Sequence, residues 1–144
     1  MKISTKGRYG TRALLEMATR YGDGPVQLKD IARTQQISLQ YLQQILGPLN
    51  AAGLIHTTRG VKGGVWLAKP PREITLSQIV EAMEGPIAPV DCVEDPKICE
   101  RSSLCATRDV WADVQGAIYE VLDGITLEDL MKKQQGKGQP SPSC

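Results

Sequence analysis

Residues 28–68, LKDIARTQQISLQYLQQILGPLNAAGLIHTTRGVKGGVWLA, decide the fold: they read as a helix-turn-helix followed by a β-hairpin wing. Ser38 is placed to cap the second helix. Leu39, Leu42, Ile45, Leu46 and Leu49 then recur at three- and four-residue spacing, which sets all five on one helix face. Ile37, just before the cap, can pack on Leu42 as a hydrophobic staple. Upstream, Leu28, Ile31 and Ala32 make a short partner helix, connected through Gln35-Gln36-Ile37. Gln40, Tyr41, Gln43 and Gln44 are left facing outward. A face of amides and a phenol, rather than charges, suits base edges. Gln pairs bidentately with adenine in the major groove, and Tyr or Ser reaches bases or phosphate.

Gly53 can end that helix at the C′ position. Leu54–Thr58 and Val65–Ala68 alternate like two strands around Arg59-Gly60-Val61-Lys62-Gly63-Gly64. A Gly-rich turn with Arg59, Gly60 and Lys62 at its tip has the character of an arm that enters the minor groove, where Arg reads groove width and negative potential. Pro48 removes an amide inside the apolar pattern, so a kink or a restart of the helix is expected there.

Charge divides the chain. Residues 1–72 carry 11 Lys and Arg against three Asp and Glu, a net +8; residues 73–144 carry six against 13, a net −7. The basic half is the electrostatic footprint of phosphate binding, and the acidic half serves something else. The 144 residues suffice for one core. No apolar run approaches a membrane span and the opening MKISTKGRYG lacks a signal-peptide core, so a cytoplasmic protein is expected.

Ser4 or Thr5 can cap a first helix from Lys6 to Tyr21, with Ala13, Leu14, Met17, Ala18 and Tyr21 buried. Lys2, Lys6, Arg8 and Arg12 crowd its positive end, which calls for an anionic partner, phosphate being the obvious one. Thr75-x-x-Gln78 is a capping box opening a short helix (Leu76, Ile79, Val80, Met83) that ends at Gly85-Pro86. After an irregular stretch from Pro86 to Thr107, Arg108–Asp123 is helical. Its wide apolar stripe (Val110, Val114, Ala117, Val121, flanked by Trp111, Ile118 and Leu122) can close the core and pair with a second copy. Thr126 caps a last short helix (Leu127, Leu130, Met131), and Lys132–Cys144 has the composition of a disordered tail. The expected organisation is 1–72 for the DNA-binding region, 73–131 for the thiol loop and dimer helices, and 132–144 for the tail.

Cys92, Cys99 and Cys105 fall in one loop, spaced C-x6-C-x5-C. Such clustering points to metal or redox chemistry rather than a disulfide framework. The spacing matches neither a zinc ribbon nor a ferredoxin, and leaves zinc and an iron–sulfur cluster equally open. A fourth ligand could come from Cys144, from His56, from Asp91, Glu94, Asp95 or Glu100, from a second subunit, or from a small molecule. His56, the only histidine, reads as a structural or DNA-facing wing residue. No nucleophile–base pair, phosphate loop or acid/base carboxylate pair is evident, so no enzyme is expected.

The opening Met1–Gly10, the wing Arg59–Ala68 and the three-cysteine loop ahead of Trp111, in that order over residues 1–131, resemble the family of bacterial winged-helix regulators that includes IscR, NsrR and CymR. The resemblance implies a mainly α winged helix-turn-helix with a long C-terminal dimerisation helix. It implies a homodimer on double-stranded DNA, with the Ser38 helix in the major groove and Arg59 in the minor groove. In the IscR branch, which Thr126–Leu130 also resembles, three cysteines hold a 2Fe-2S cluster and the holo protein represses cluster-biogenesis genes. Two positions depart from that branch: Arg108 stands where a His ligand is common, and Gln43 where Glu is found. Glu84-Gly85-Pro86-Ile87 with Pro89-Val90 resembles the CymR branch instead, a cluster-free repressor of cysteine metabolism that works with an enzyme partner, and within the family a cluster regulator that senses nitric oxide is the other alternative.

Overall fold

A computed structural model describes residues 2–138. Helix α1 (Thr5–Thr19) starts at Ser4, whose hydroxyl accepts from the Gly7 amide at 3.1 Å. Ala13, Leu14, Met17 and Ala18 are buried as the spacing predicts. Tyr21 is not: the helix stops at Thr19, and Tyr21 is half exposed in the following turn.

Helices α2 (Leu28–Gln35) and α3 (Leu39–Ala51) form the helix-turn-helix. Gln36 closes α2 in the left-handed conformation (φ +53°), and Ile37 is buried ahead of the Ser38 cap. α3 runs continuously through Pro48, so the helix does not restart there. The missing amide deprives only the carbonyl of Gln44, an exposed residue that water can serve. At its end Gly53 (φ +71°) donates to Asn50 O at 3.0 Å and Leu54 to Leu49 O at 3.1 Å, the two bonds of a Schellman cap.

Strands β1 (Ile55–Thr58) and β2 (Gly64–Leu67) pair antiparallel, Ile55 opposite Leu67 and Thr58 opposite Gly64. Ile55, Val65 and Leu67 turn into the core, and Val26 adds an isolated bridge to Val65. Helix α4 (Leu76–Glu84) opens with both bonds of the Thr75/Gln78 capping box. A single turn α5 (Asp91–Glu94) and two 3-10 turns (Pro96–Ile98, Ser102–Leu104) lead to α6 (Ala106–Asp123). Helix α7 (Leu127–Lys137) follows a second capping box at Thr126 and Asp129. It carries Lys132–Lys137 in helix rather than in a disordered tail; Glu128 pairing with Lys132 across one turn supports that continuation. Cys144 lies outside the described residues.

One core joins these elements. Leu14, Met17, Ile31, Leu42, Ile45 and Leu49 from the basic half meet Ile74, Ile79, Met83 and Leu127 from the acidic half. Gly10 lets α1 and α4 approach closely, since a Cβ there would stand 2.8 Å from Met83 Sδ. Among the described residues no helix is long and apolar enough to cross a membrane.

Candidate nucleic-acid interface

Helix α3 presents Gln40, Gln43 and Gln44 to solvent while Leu42, Ile45 and Leu49 are buried. Ser38 spends its hydroxyl on the cap, accepting from the Tyr41 amide at 3.1 Å. Two expectations change. Leu39 is exposed rather than core, and Tyr41 is not an outward residue but turns its half-buried ring edge-on against Tyr9, centroids 5.8 Å apart. Both sit on the flanks of the stripe centred on Leu42, Ile45 and Leu49, where neighbouring helices, not periodicity, decide burial.

The Tyr9–Tyr41 contact sets the first half of α1 against the first turn of α3. Lys2 and Arg8 are exposed, Arg8 donating to Thr5 Oγ1 at 3.2 Å. Arg12 is not available for phosphate. Its guanidinium donates to the Gln35 side-chain oxygen at 3.2 Å and to the Gln35 carbonyl, and lies 5.3 Å over the Tyr9 ring. Buried Glu16 accepts from Gln35 Nε2 at 3.0 Å and from Arg20 at 2.9 Å, so α1 holds the end of α2.

At the wing tip Arg59, Gly60, Val61 and Lys62 are all exposed, Gly60 in a left-handed conformation (φ +104°). Between wing and α3 lies a cleft of about 470 Å³ bordered by Gln43, Asn50, Thr57, Thr58 and Arg59. It has the polar rim and cationic edge that a sugar–phosphate strand requires. Asn50, Thr57 and Thr58, which line this cleft, were not among the residues singled out from the sequence. The signal for Asn50 was available: it lies seven residues after Gln43, on the same helix face. His56 faces solvent in β1 against Trp66, ring centroids 5.6 Å apart, as a wing residue.

Cys92 lies in α5, Cys99 follows the first 3-10 turn, and Cys105 is the residue that starts α6; all three are free and half-buried. The Thr107 hydroxyl, 3.1 Å from Cys105 Sγ, and the Arg108 amide hold that thiol below its usual range, favouring thiolate. Arg108 does not act as a donor atom to metal; its Nε donates to the Cys92 carbonyl at 2.8 Å and ties the loop to α6. The donor chemistry suits a soft metal. The placement does not yet gather it: among the described residues no three His, Cys, Asp or Glu side chains form a metal-holding group.

No residue of α6 is buried within one chain. Val110, Trp111, Val114 and Val121 stay exposed, while on the inner side Gln115 donates to Ile87 O at 2.9 Å.

The Rrf2 family, described as iron-dependent transcriptional regulators, matches residues 3–133. The regulator CymR of Bacillus subtilis is 44% identical over 137 residues, covering 95% of this chain and 94% of its own. Its solved structure, titled the global cysteine regulator, superposes with a TM-score of 0.78 at 44% identity, over 93% of this chain and 98% of that one. The structure of T. potens IscR gives 0.76 at 37% identity, over 98% of this chain and 94% of the other.

Proposed function

The chain belongs to the Rrf2 family of transcriptional regulators, and on that premise we propose that it is a homodimeric, sequence-specific repressor responsive to an iron–sulfur cluster. The cluster is of the 2Fe-2S type, and the genes controlled are those of cluster biogenesis. The observation that carries this reading is the position of three free thiols in one loop that runs straight into α6, the helix with an uncovered apolar face.

Cys92, Cys99 and Cys105 would hold the cluster, with a fourth ligand from elsewhere. Bound there, it would supply a thiolate-ligated, redox-active iron centre. The chain's own residues do the rest. Arg108 fastens the loop at Cys92, and Gln115 and Tyr119 fasten the segment before it at Ile87, so a change in loop shape reaches α6. Two copies meeting along α6 present two α3 helices and two wings, which demands a roughly palindromic operator. Gln40, Gln43 and Gln44 read base edges; Arg59, Gly60 and Lys62 enter the neighbouring minor groove; Lys2 and Arg8 contact the backbone, as does Ser38 through the O–H hydrogen that its capping role as acceptor leaves free.

The 44% identity to CymR favours a second reading, a repressor of cysteine metabolism that binds no cluster and works with a protein partner. Anaerobic purification with iron and acid-labile sulfide counts separates the two. Equimolar iron and sulfide, lost in Cys92→Ala, Cys99→Ala or Cys105→Ala protein that still folds, supports the first. A protein colourless after reconstitution, with intact DNA binding, supports the second.

A further inference from the structure

We propose that Gln27 is a positioning residue for the wing: its side-chain amide clamps the wing turn from outside the hairpin and so sets where Arg59 and Lys62 meet DNA. Gln27 occupies the N-cap of α2, where a polar side chain ordinarily accepts from the first free amides of the helix, yet it makes no capping bond. Its Nε2 instead reaches more than thirty residues along the chain. It donates to Val61 O at 3.4 Å and to Gly63 O at 3.2 Å, one hydrogen for each carbonyl.

Everything around the clamp is built for this close approach. Val26 and Val65 exchange two backbone hydrogen bonds, at 2.8 and 2.9 Å, so the segment before α2 forms a third, one-residue strand beside β2. A Cβ on Gly64 would stand 2.5 Å from Val26 O, and one on Gly63 would stand 2.5 Å from Thr58 O. Both glycines are therefore required for the turn to lie down against its neighbours. Gly63 is buried while Arg59, Val61 and Lys62 project freely. A hairpin tip of this kind ordinarily moves as a unit about its two strands. The clamp removes that freedom at the carbonyls flanking Lys62, and holds the arm at a fixed angle to α3.

The inference rests on the proposed role of the wing in DNA binding, and its test separates the two. Gln27→Met keeps the length of the side chain and its stem while donating nothing. The probe is a duplex selected by the unaltered protein from a random-sequence library. The expected result is about a fivefold loss of affinity for that duplex, as two weak hydrogen bonds allow. In an Arg59→Ala/Lys62→Ala background the same substitution should change nothing, because Gln27 acts through those two residues of the arm. A merely structural role would lower affinity equally in both backgrounds, and that result overturns the proposal. Amide exchange of residues 61–64 reads the clamp without DNA. Several-fold faster exchange in Gln27→Met supports it, and unchanged exchange overturns it. If the unaltered protein selects no duplex, the DNA reading fails by itself and the exchange result still decides the clamp.

Discussion

The Tyr119 hydroxyl stands between two elements: it donates to Glu81 Oε1 at 2.5 Å and accepts from the Ile87 amide at 3.2 Å. It thereby joins α6 to α4 and to the chain entering the thiol loop. Tyr119→Phe should cost about 1–2 kcal/mol, since the Ile87 amide loses its acceptor in a partly buried site. Urea unfolding at fixed protein concentration measures it. Burial, and then the hydrogen bond to Glu81, raise the Tyr119 pKa, so the folded state favours the neutral phenol. That contribution is complete below the unfolded value of about 10 and is lost as pH rises through the folded one. The alkaline loss of stability should be shallower in Tyr119→Phe, and equal slopes would contradict the bond.

Glu84 accepts from the Ser4 amide at 3.0 Å and the Ser4 hydroxyl at 2.5 Å, and a Cβ on Gly7 would strike the same carboxylate oxygen. Gly7→Ala should therefore destabilise by about 1 kcal/mol despite the better helix former. In a Glu84→Ala background the substitution should turn close to neutral, because only the exposed Ile3 side chain, whose Cγ2 would stand 3.0 Å from the new Cβ, is left to give way. Chemical denaturation of the four proteins in the cycle gives the answer.

Gln36 holds a left-handed conformation at the turn between α2 and α3. Gln36→Gly should stabilise by about 0.5–1 kcal/mol, and Gln36→Val should destabilise by about 1 kcal/mol or more. Thermal melts with DNA binding monitored in parallel check the direction of both.

Gln44 faces outward on α3 and Lys62 on the wing tip. Gln44→Ala should reduce discrimination between operator and altered operator by about 1–3 kcal/mol. Lys62→Ala should weaken all duplexes alike and lower the salt slope by about 1. Titrations at several salt concentrations distinguish them; unchanged specificity in Gln44→Ala would remove that residue from the base-reading face.

Trp111 and Val114 stay exposed on a helix that buries none of its residues in one chain. Trp111→Glu should yield a folded monomer with weakened operator binding, as sedimentation and circular dichroism would show. A dimer of unchanged strength would place the two-fold contact elsewhere.

Local geometry explains what could be read ahead of the fold. The Thr75/Gln78 box, the Gly53 cap and the Leu42–Ile45–Leu49 stripe each depend on residues within seven positions, joined by fixed helix geometry. Tyr41 and Arg12 escaped that reading. A phenol on the flank of a stripe goes inward or outward according to whether another helix brings a partner, here Tyr9. A guanidinium at a crowded helix start goes to phosphate or to protein according to whether a carbonyl such as that of Gln35 comes within reach.

The sequence by itself determined the helix-turn-helix, the wing, the amide face of α3 and the clustering of three thiols, because period, caps and turns are properties of neighbouring residues. Only the tertiary structure decided that Arg12 turns inward, that Arg108 ties the thiol loop to α6, and that Gln27 clamps the wing. Those are long, rotatable polar side chains, and where such a chain ends is set by which distant backbone groups packing has left within its reach.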